Sequence, residues 1–212
     1  MNRRILKLLA VITLPLSHAW GSLDQAPYCC DDKIDCAFST DVEAAAFFPL
    51  GSTMRRIYGT ALPQFTLAEN WRFHRHWAAW LDVSYVFGNG HSTGETHAST
   101  HLSLVPISAG IKYVHRVSDC TDFYVGLGPC YSFLDTTDHS SSVRRHTSAS
   151  NFGAVAKSGF VYHLNSRWFV QGFFNYMYQK VYFHQTDSSP FVYRYSANLS
   201  SLQLGGGIGI NY

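Results

Sequence analysis

From Ser39 to the end of the chain, apolar and polar residues alternate at period two, and the pattern returns eight times. Alternation at that period places successive side chains on opposite faces of a β-strand. The first segment sets Val42, Ala44, Ala46 and Phe48 against Asp41 and Glu43. The third sets Trp77, Ala79, Leu81, Val83, Tyr85 and Phe87 against Asp82 and Ser84. The last sets Leu202, Leu204, Ile208, Ile210 and Tyr212 against Gln203, Gly205, Gly207, Gly209 and Asn211. Five further segments, over 65–73, 105–113, 123–133, 152–162 and 168–182, follow the same rule. The face opposite the aromatics carries the glycines, amides and charges, and no run keeps a helical period.

Each segment is about ten residues long, the length a tilted strand needs to cross the hydrocarbon core of a bilayer. The links between them alternate in length. Those at 74–76, 118–121 and 165–166 are short, and those at 50–63, 88–100, 134–148 and 184–194 are long. Short turns at one end and long loops at the other are the asymmetry of outer-membrane barrels. Composition agrees: aromatic residues make up 16% of the chain and charged residues only 14%, against roughly 25% charged in soluble domains. Such a chain cannot clothe a soluble surface, whereas a lipid-facing wall needs little charge. The pattern predicts an all-β fold, an eight-stranded antiparallel up-and-down transmembrane β-barrel over 39–212. A soluble lipocalin-like barrel would reverse the parity, with apolar residues inward. Three details run against a regular ladder. Pro106 and Pro129 each remove a donor and suggest bulges, and Glu69 on the lipid parity suggests a bulge or shift in the second strand.

Ahead of the barrel, Arg3, Arg4 and Lys7 precede an apolar run from Leu8 to Leu16 and small residues Ser17 and Ala19. This is the layout of a cleaved signal peptide over 1–19, too short to span a membrane. Without it the chain has 13 basic and 14 acidic residues, a net charge near −1, so nucleic acid is not an expected partner. Residues 20–38 read as a polar periplasmic tail carrying Cys29, Cys30 and Cys36. With Cys120 in a periplasmic turn, these cysteines share one side of the membrane, where disulfides among themselves or to a neighbouring envelope protein are permissible. Cys130 points inward as a small buried filler.

The inward parity collects Asp41, Glu43, Arg72, Asp82, Lys112 and Lys157. An eight-stranded barrel is narrow enough to be filled by its own side chains, and buried charges must be paired. An ion-pair network that plugs the lumen is therefore expected, with a gated path for small ions or solutes as the alternative. Eleven histidines include His91, His97, His101, His139 and His146 in or beside long loops, at spacings that suit no rigid metal site. No catalytic residue, cofactor or metal is expected. The basic pairs Arg55-Arg56 and Arg144-Arg145 are placed to meet anionic lipopolysaccharide or a host surface.

The chain ends in Gly205-Gly-Gly-Ile-Gly-Ile-Asn-Tyr212. With the eight segments before it, the span from Ser39 to Tyr212 resembles the eight-stranded outer-membrane protein family typified by OmpA and OmpX. The resemblance implies that Gly207, Ile210 and Tyr212 form the C-terminal assembly signal read by the outer-membrane insertion machinery, although Gly205 stands where a polar residue is usual. It also implies an outer-membrane location and a structural or surface-interaction role. No peptidoglycan-binding domain is expected after the barrel. His139-Ser140-Ser141 resembles the His-x-Ser of the lipid A deacylase barrels, but Ser142 replaces that family's following Asn, and no enzymatic role is expected.

Overall fold

A computed structural model describes residues 38–91, 99–138, 146–184 and 194–212. Residues 1–37, which hold the expected signal peptide and all but Phe38 of the expected tail, lie outside the described residues, as do 92–98, 139–145 and 185–193 and with them His97, His139 and Arg144-Arg145. The elements in chain order are β1 (Phe38–Pro49), α1 (Ser52–Tyr58), β2 (Leu62–His74), β3 (Trp77–His91), β4 (Ser99–Ser118), β5 (Thr121–Asp138), β6 (His146–His163), β7 (Trp168–His184), β8 (Arg194–Asn198) and β9 (Ser201–Asn211).

Each strand from β1 to β7 pairs antiparallel with its neighbour in sequence, and β9 pairs with both β7 and β1. The sheet therefore closes into a ring of eight staves, with no free edge along the closed part of the wall. The eighth stave is in two pieces. β8 pairs with β7 in the register that β9 continues, and Leu199 and Ser200 interrupt it. Ser200 is tied back by its backbone N–H to Asn198 Oδ1 and by its carbonyl to the Leu50 N–H. Leu199 is buried in the barrel interior.

The alternation read from the sequence is the alternation of the wall. Val42, Phe65, Leu81, Tyr85, Ile111, Leu127, Phe152, Phe174 and Leu204 are exposed, while Asp41, Glu43, Thr66, Asp82, Ser108, Lys157, Gln171 and Asn175 are buried. The exposed residues form the lipid-facing belt.

Several local expectations change. Neither proline makes a bulge: the ladder is interrupted beside Pro106 and Pro129, but the register on either side is the same. Each proline withholds one N–H without adding a residue, so nothing needs to slip. Glu69 causes no shift either. It stays on the outer face opposite Thr40, whose hydroxyl donates to Glu69 Oε2 at 2.8 Å. The irregularity in that strand lies between Arg72 and His74, at the turn. The strands also run further than the alternation suggested, so that His91 ends β3, and His101, within β4, lies 2.6 Å from Asn89 Oδ1.

The first long link contains a helix. α1 is only seven residues long and buries Met54, so no extended apolar stripe announces it. It ends at Gly59, whose φ of 95° is in the left-handed region that glycine enters without a Cβ penalty.

Candidate functional site

The interior is layered. Toward the long loops, Phe47, Leu62, Val86, Leu102, Leu104, Leu134, Met177 and Val181 form one apolar cluster with Met54 from α1 and Leu199 from the stave break. The parity argument placed the wide side chains outside; Phe47, Trp80, Tyr124, Phe169 and Phe173 are buried all the same. Glycines make room for them. A Cβ at Gly110 would come within 2.4 Å of the Trp80 ring, and one at Gly209 within 2.1 Å of Phe169. The glycines of β4, β5 and β9 are thus where the inward Trp80 and Phe169 rings come close to the wall.

Below this cluster sits a polar layer. Lys157 Nζ is paired with Asp82 Oδ2, and Asp82 Oδ1 accepts from Ser108 Oγ at 2.7 Å. Lys157 also lies over the Trp80 ring, 5.6 Å from its centroid, and the indole N–H donates to Ser108 Oγ at 3.4 Å. Asp41 and Glu43 share one donor: Gln171 Nε2 reaches Asp41 Oδ1 at 2.8 Å and Glu43 Oε1 at 2.9 Å. Asn70 Nδ2 donates to Asp41 Oδ2 at 2.8 Å. Lys112 Nζ lies 4.6 Å from the Tyr124 ring centroid. Among the described residues, Asp41, Glu43 and Lys112 stand in no ion pair within 4.0 Å.

The sixth charge expected inside, Arg72, takes a partner the sequence reading omitted. Its Nη2 lies 2.9 Å from Asp122 Oδ2 near the short-turn end. His163 Nε2 approaches the same oxygen at 3.3 Å, and Arg116 Nε lies 3.9 Å from Oδ1. Asp122 belongs to the inward parity of β5, as Gly126 and Cys130 do; starting that strand at Phe123 excluded it. Asp41, Arg72, Lys112, Asp122 and His163 line a cavity of about 70 Å³ toward this end. A second, of about 10 Å³, lies higher, between Glu43, Gln64, Asp82, Lys157 and Asn175.

Of the residues of the expected assembly signal, Gly207 and Ile210 lie on β9, the strand that closes the ring, and Tyr212 directly follows it. Gly207 faces inward, where a Cβ would meet the Val42 carbonyl at 2.8 Å. Ile210 pairs with Thr40 and Trp168 on the two flanking strands. The Tyr212 N–H donates to the Phe38 carbonyl at 2.9 Å, and its hydroxyl lies 3.0 Å from Thr40 Oγ1, which in turn donates to Glu69. Two hydrogen bonds thus run from the Tyr212 hydroxyl through Thr40 on β1 to the Glu69 carboxylate on β2.

At the opposite end, α1 occupies the space between β3 and β8 where β1 and β2 have ended. It approaches closely on both sides. A Cβ at Gly90 would stand 2.1 Å from the Ile57 carbonyl, and one at Gly51 2.4 Å from the Asn198 carbonyl. Arg55 and Arg56 are in its last turn and exposed. Cys120 lies in the β4–β5 turn, at the end where β1 begins, and Cys130 is a buried free thiol. No group of three or more His, Cys, Asp or Glu is placed to hold a metal among the described residues.

No protein-family model matches the sequence, and no curated protein is significantly similar to it. Solved structures do match. The outer membrane protein OprG from Pseudomonas aeruginosa superposes with a TM-score of 0.63 at 16% identity, over 84% of this chain and 96% of that one. Neisserial surface protein A gives 0.58 at 13% identity, over 83% and 99%. Ail of Yersinia pestis, in complex with the heparin analogue sucrose octasulfate, gives 0.53 at 12% identity, over 84% and 100%. This chain folds as an eight-stranded outer-membrane β-barrel. Its closed ring and apolar exterior are those of the OmpA and OmpX type, and identities this low extend to the fold alone.

Proposed function

We propose that this protein is an integral outer-membrane scaffold, closed to solutes, that presents a rigid basic surface at its long-loop end. The observation that carries this reading is the apolar cluster under the long loops, into which α1 inserts Met54. Water and ions have no favourable route through a layer of packed Leu, Val, Phe and Met side chains. The polar layer beneath it then serves as filling that fixes strand register, with Asp82–Lys157 and Arg72–Asp122 as its ion pairs. A narrow channel is the competing reading, and among the described residues no nucleophile–base pair supports an enzymatic role.

In this reading residues 1–19 direct export, the short turns face the periplasm, and the C-terminal strand with Gly207, Ile210 and Tyr212 is recognised by the insertion machinery. Cys29, Cys30 or Cys36 then links by a disulfide to Cys120 or to a neighbouring envelope protein. The outward partner is an anionic polysaccharide: lipopolysaccharide in the same leaflet or a sulfated glycan on a host cell. Arg55 and Arg56 support this, because a docked helix holds both guanidinium groups at the exposed end. Ail, which carries sucrose octasulfate, offers the analogy.

Planar-bilayer recording of purified protein should show no steady conductance; large, stable open levels would replace this reading with the channel. Binding to immobilised heparin should weaken with salt. In the Arg55→Gln/Arg56→Gln double variant it should fall about tenfold, at roughly 0.5–1 kcal/mol per exposed charge.

A further inference from the structure

Among the described residues, Glu69 is the one carboxylate with outward parity in the short-turn half of the wall. It shares the outer face of β2 with the exposed Phe65, Trp71 and Phe73. Thr40 and Leu81 stand opposite it on the flanking strands, and Leu67 and Trp71 are the next outward residues of β2. None of these is a base, and Glu69 stands in no ion pair among the described residues.

One of its oxygens is already held. Thr40, only 8% exposed, accepts from the Tyr212 hydroxyl at 3.0 Å and donates to Glu69 Oε2 at 2.8 Å. That hydroxyl orients the carboxylate without neutralising it. Glu69 Oε1 and the Tyr212 phenol oxygen keep capacity to accept. The position also matters. Trp71 stacks on Phe38 with ring centroids 6.0 Å apart, and Trp77 meets Tyr113 edge-on at 5.3 Å. With the exposed Trp168 and Tyr212, these rings form the girdle that marks headgroup level. On its other side Glu69 meets the aliphatic band of Val42, Leu67 and Leu81. A negative charge at that boundary is costly unless a cation lies against it.

We propose that Glu69, Thr40 and Tyr212 form a docking site for a phospholipid whose headgroup ends in a primary ammonium. Such a group carries the missing charge and three N–H donors for Oε1 and the phenol oxygen, and the neighbouring Trp71 ring attracts a cation. A quaternary ammonium has the charge but no hydrogen to donate, and an anionic headgroup is repelled. The site belongs to the periplasmic leaflet where the short turns face the periplasm, as proposed above.

The folded protein is placed in nanodiscs of phosphatidylethanolamine, phosphatidylcholine and phosphatidylglycerol in equal amounts, and the lipids it retains are counted by native mass spectrometry. One phosphatidylethanolamine should be retained about fivefold over phosphatidylcholine, the effect of a single interfacial charge. Glu69→Gln should bring that ratio close to one while the barrel stays folded. Thr40→Val, which keeps the charge but frees the carboxylate, should lower the ratio without abolishing it. Equal retention of the two lipids, or a preference unchanged in Glu69→Gln, would overturn the site. So would retention of a second protein copy that is lost in Glu69→Gln. A protonated-carboxyl infrared band of equal height in phosphatidylethanolamine and phosphatidylcholine discs, absent from Glu69→Gln, would overturn it in favour of a proton. Both leaflets of a nanodisc hold the same lipids, so these results do not depend on orientation. Labelling of Ser166→Cys from outside intact cells would overturn the periplasmic placement of the short turns and leave the lipid site standing.

Discussion

The residues that matter most for this barrel's interior are those whose partners come from the far side of the lumen. Asp82 on β3 meets Lys157 on β6. Both side chains are at most 8% exposed, so the pair gains less from its attraction than it loses if either member is removed. Asp82→Ala leaves a buried ammonium without its partner and the Ser108 hydroxyl without its acceptor. The expected loss is about 3–5 kcal/mol, read from urea unfolding in micelles, and Asp82→Ala/Lys157→Met should recover much of it. Recovery no better than additive would mean that the two side chains do not act as a pair. Asp122 shows why such partners were only half legible. Its parity marked it as inward-facing, but nothing along the chain said that Arg72, fifty positions away, would take it rather than Asp41 or Glu43.

At the scale of elements, the eight staves follow from local alternation, because each strand buries one face regardless of which strand lies next to it. α1 and the break at Leu199–Ser200 do not. Seven residues of helix bear no sustained pattern, and the helix is held by packing against β3 and β8 through glycines that remove a Cβ from each contact. Gly90→Val tests this. The added side chain meets a backbone carbonyl, which cannot turn aside as a flexible side chain would. α1 should lift from the mouth while the ring below it stays paired. Limited proteolysis should then cut within residues 50–61 at least tenfold faster, with far-ultraviolet circular dichroism nearly unchanged. Equal cleavage rates would mean that α1 does not depend on that approach.

For the whole molecule, ring closure decides stability in a membrane, since every wall strand must satisfy its backbone groups within the ring. The closed ladder, with β9 paired on both sides, should make unboiled protein run faster than boiled protein on a denaturing gel; identical migration would count against a closed ring. Tyr212→Phe should leave that shift intact and lower stability by about 0.5–1.5 kcal/mol, because it removes a single hydroxyl contact at the seam. The sequence by itself determined the strand count, the antiparallel order, the inward and outward faces and the two unlike ends. All of these depend on spacing along the chain. Tertiary structure alone decided which inward charges pair, and that apolar side chains with Met54 of α1 fill the long-loop end of the interior. Those outcomes depend on distances across the lumen, which are fixed by closure, stagger and the space that glycines leave. In the first segment the period of two was enough to send Glu43 inward; only the closed barrel shows that it shares the Gln171 amide with Asp41 and lines a cavity with Lys157 from β6.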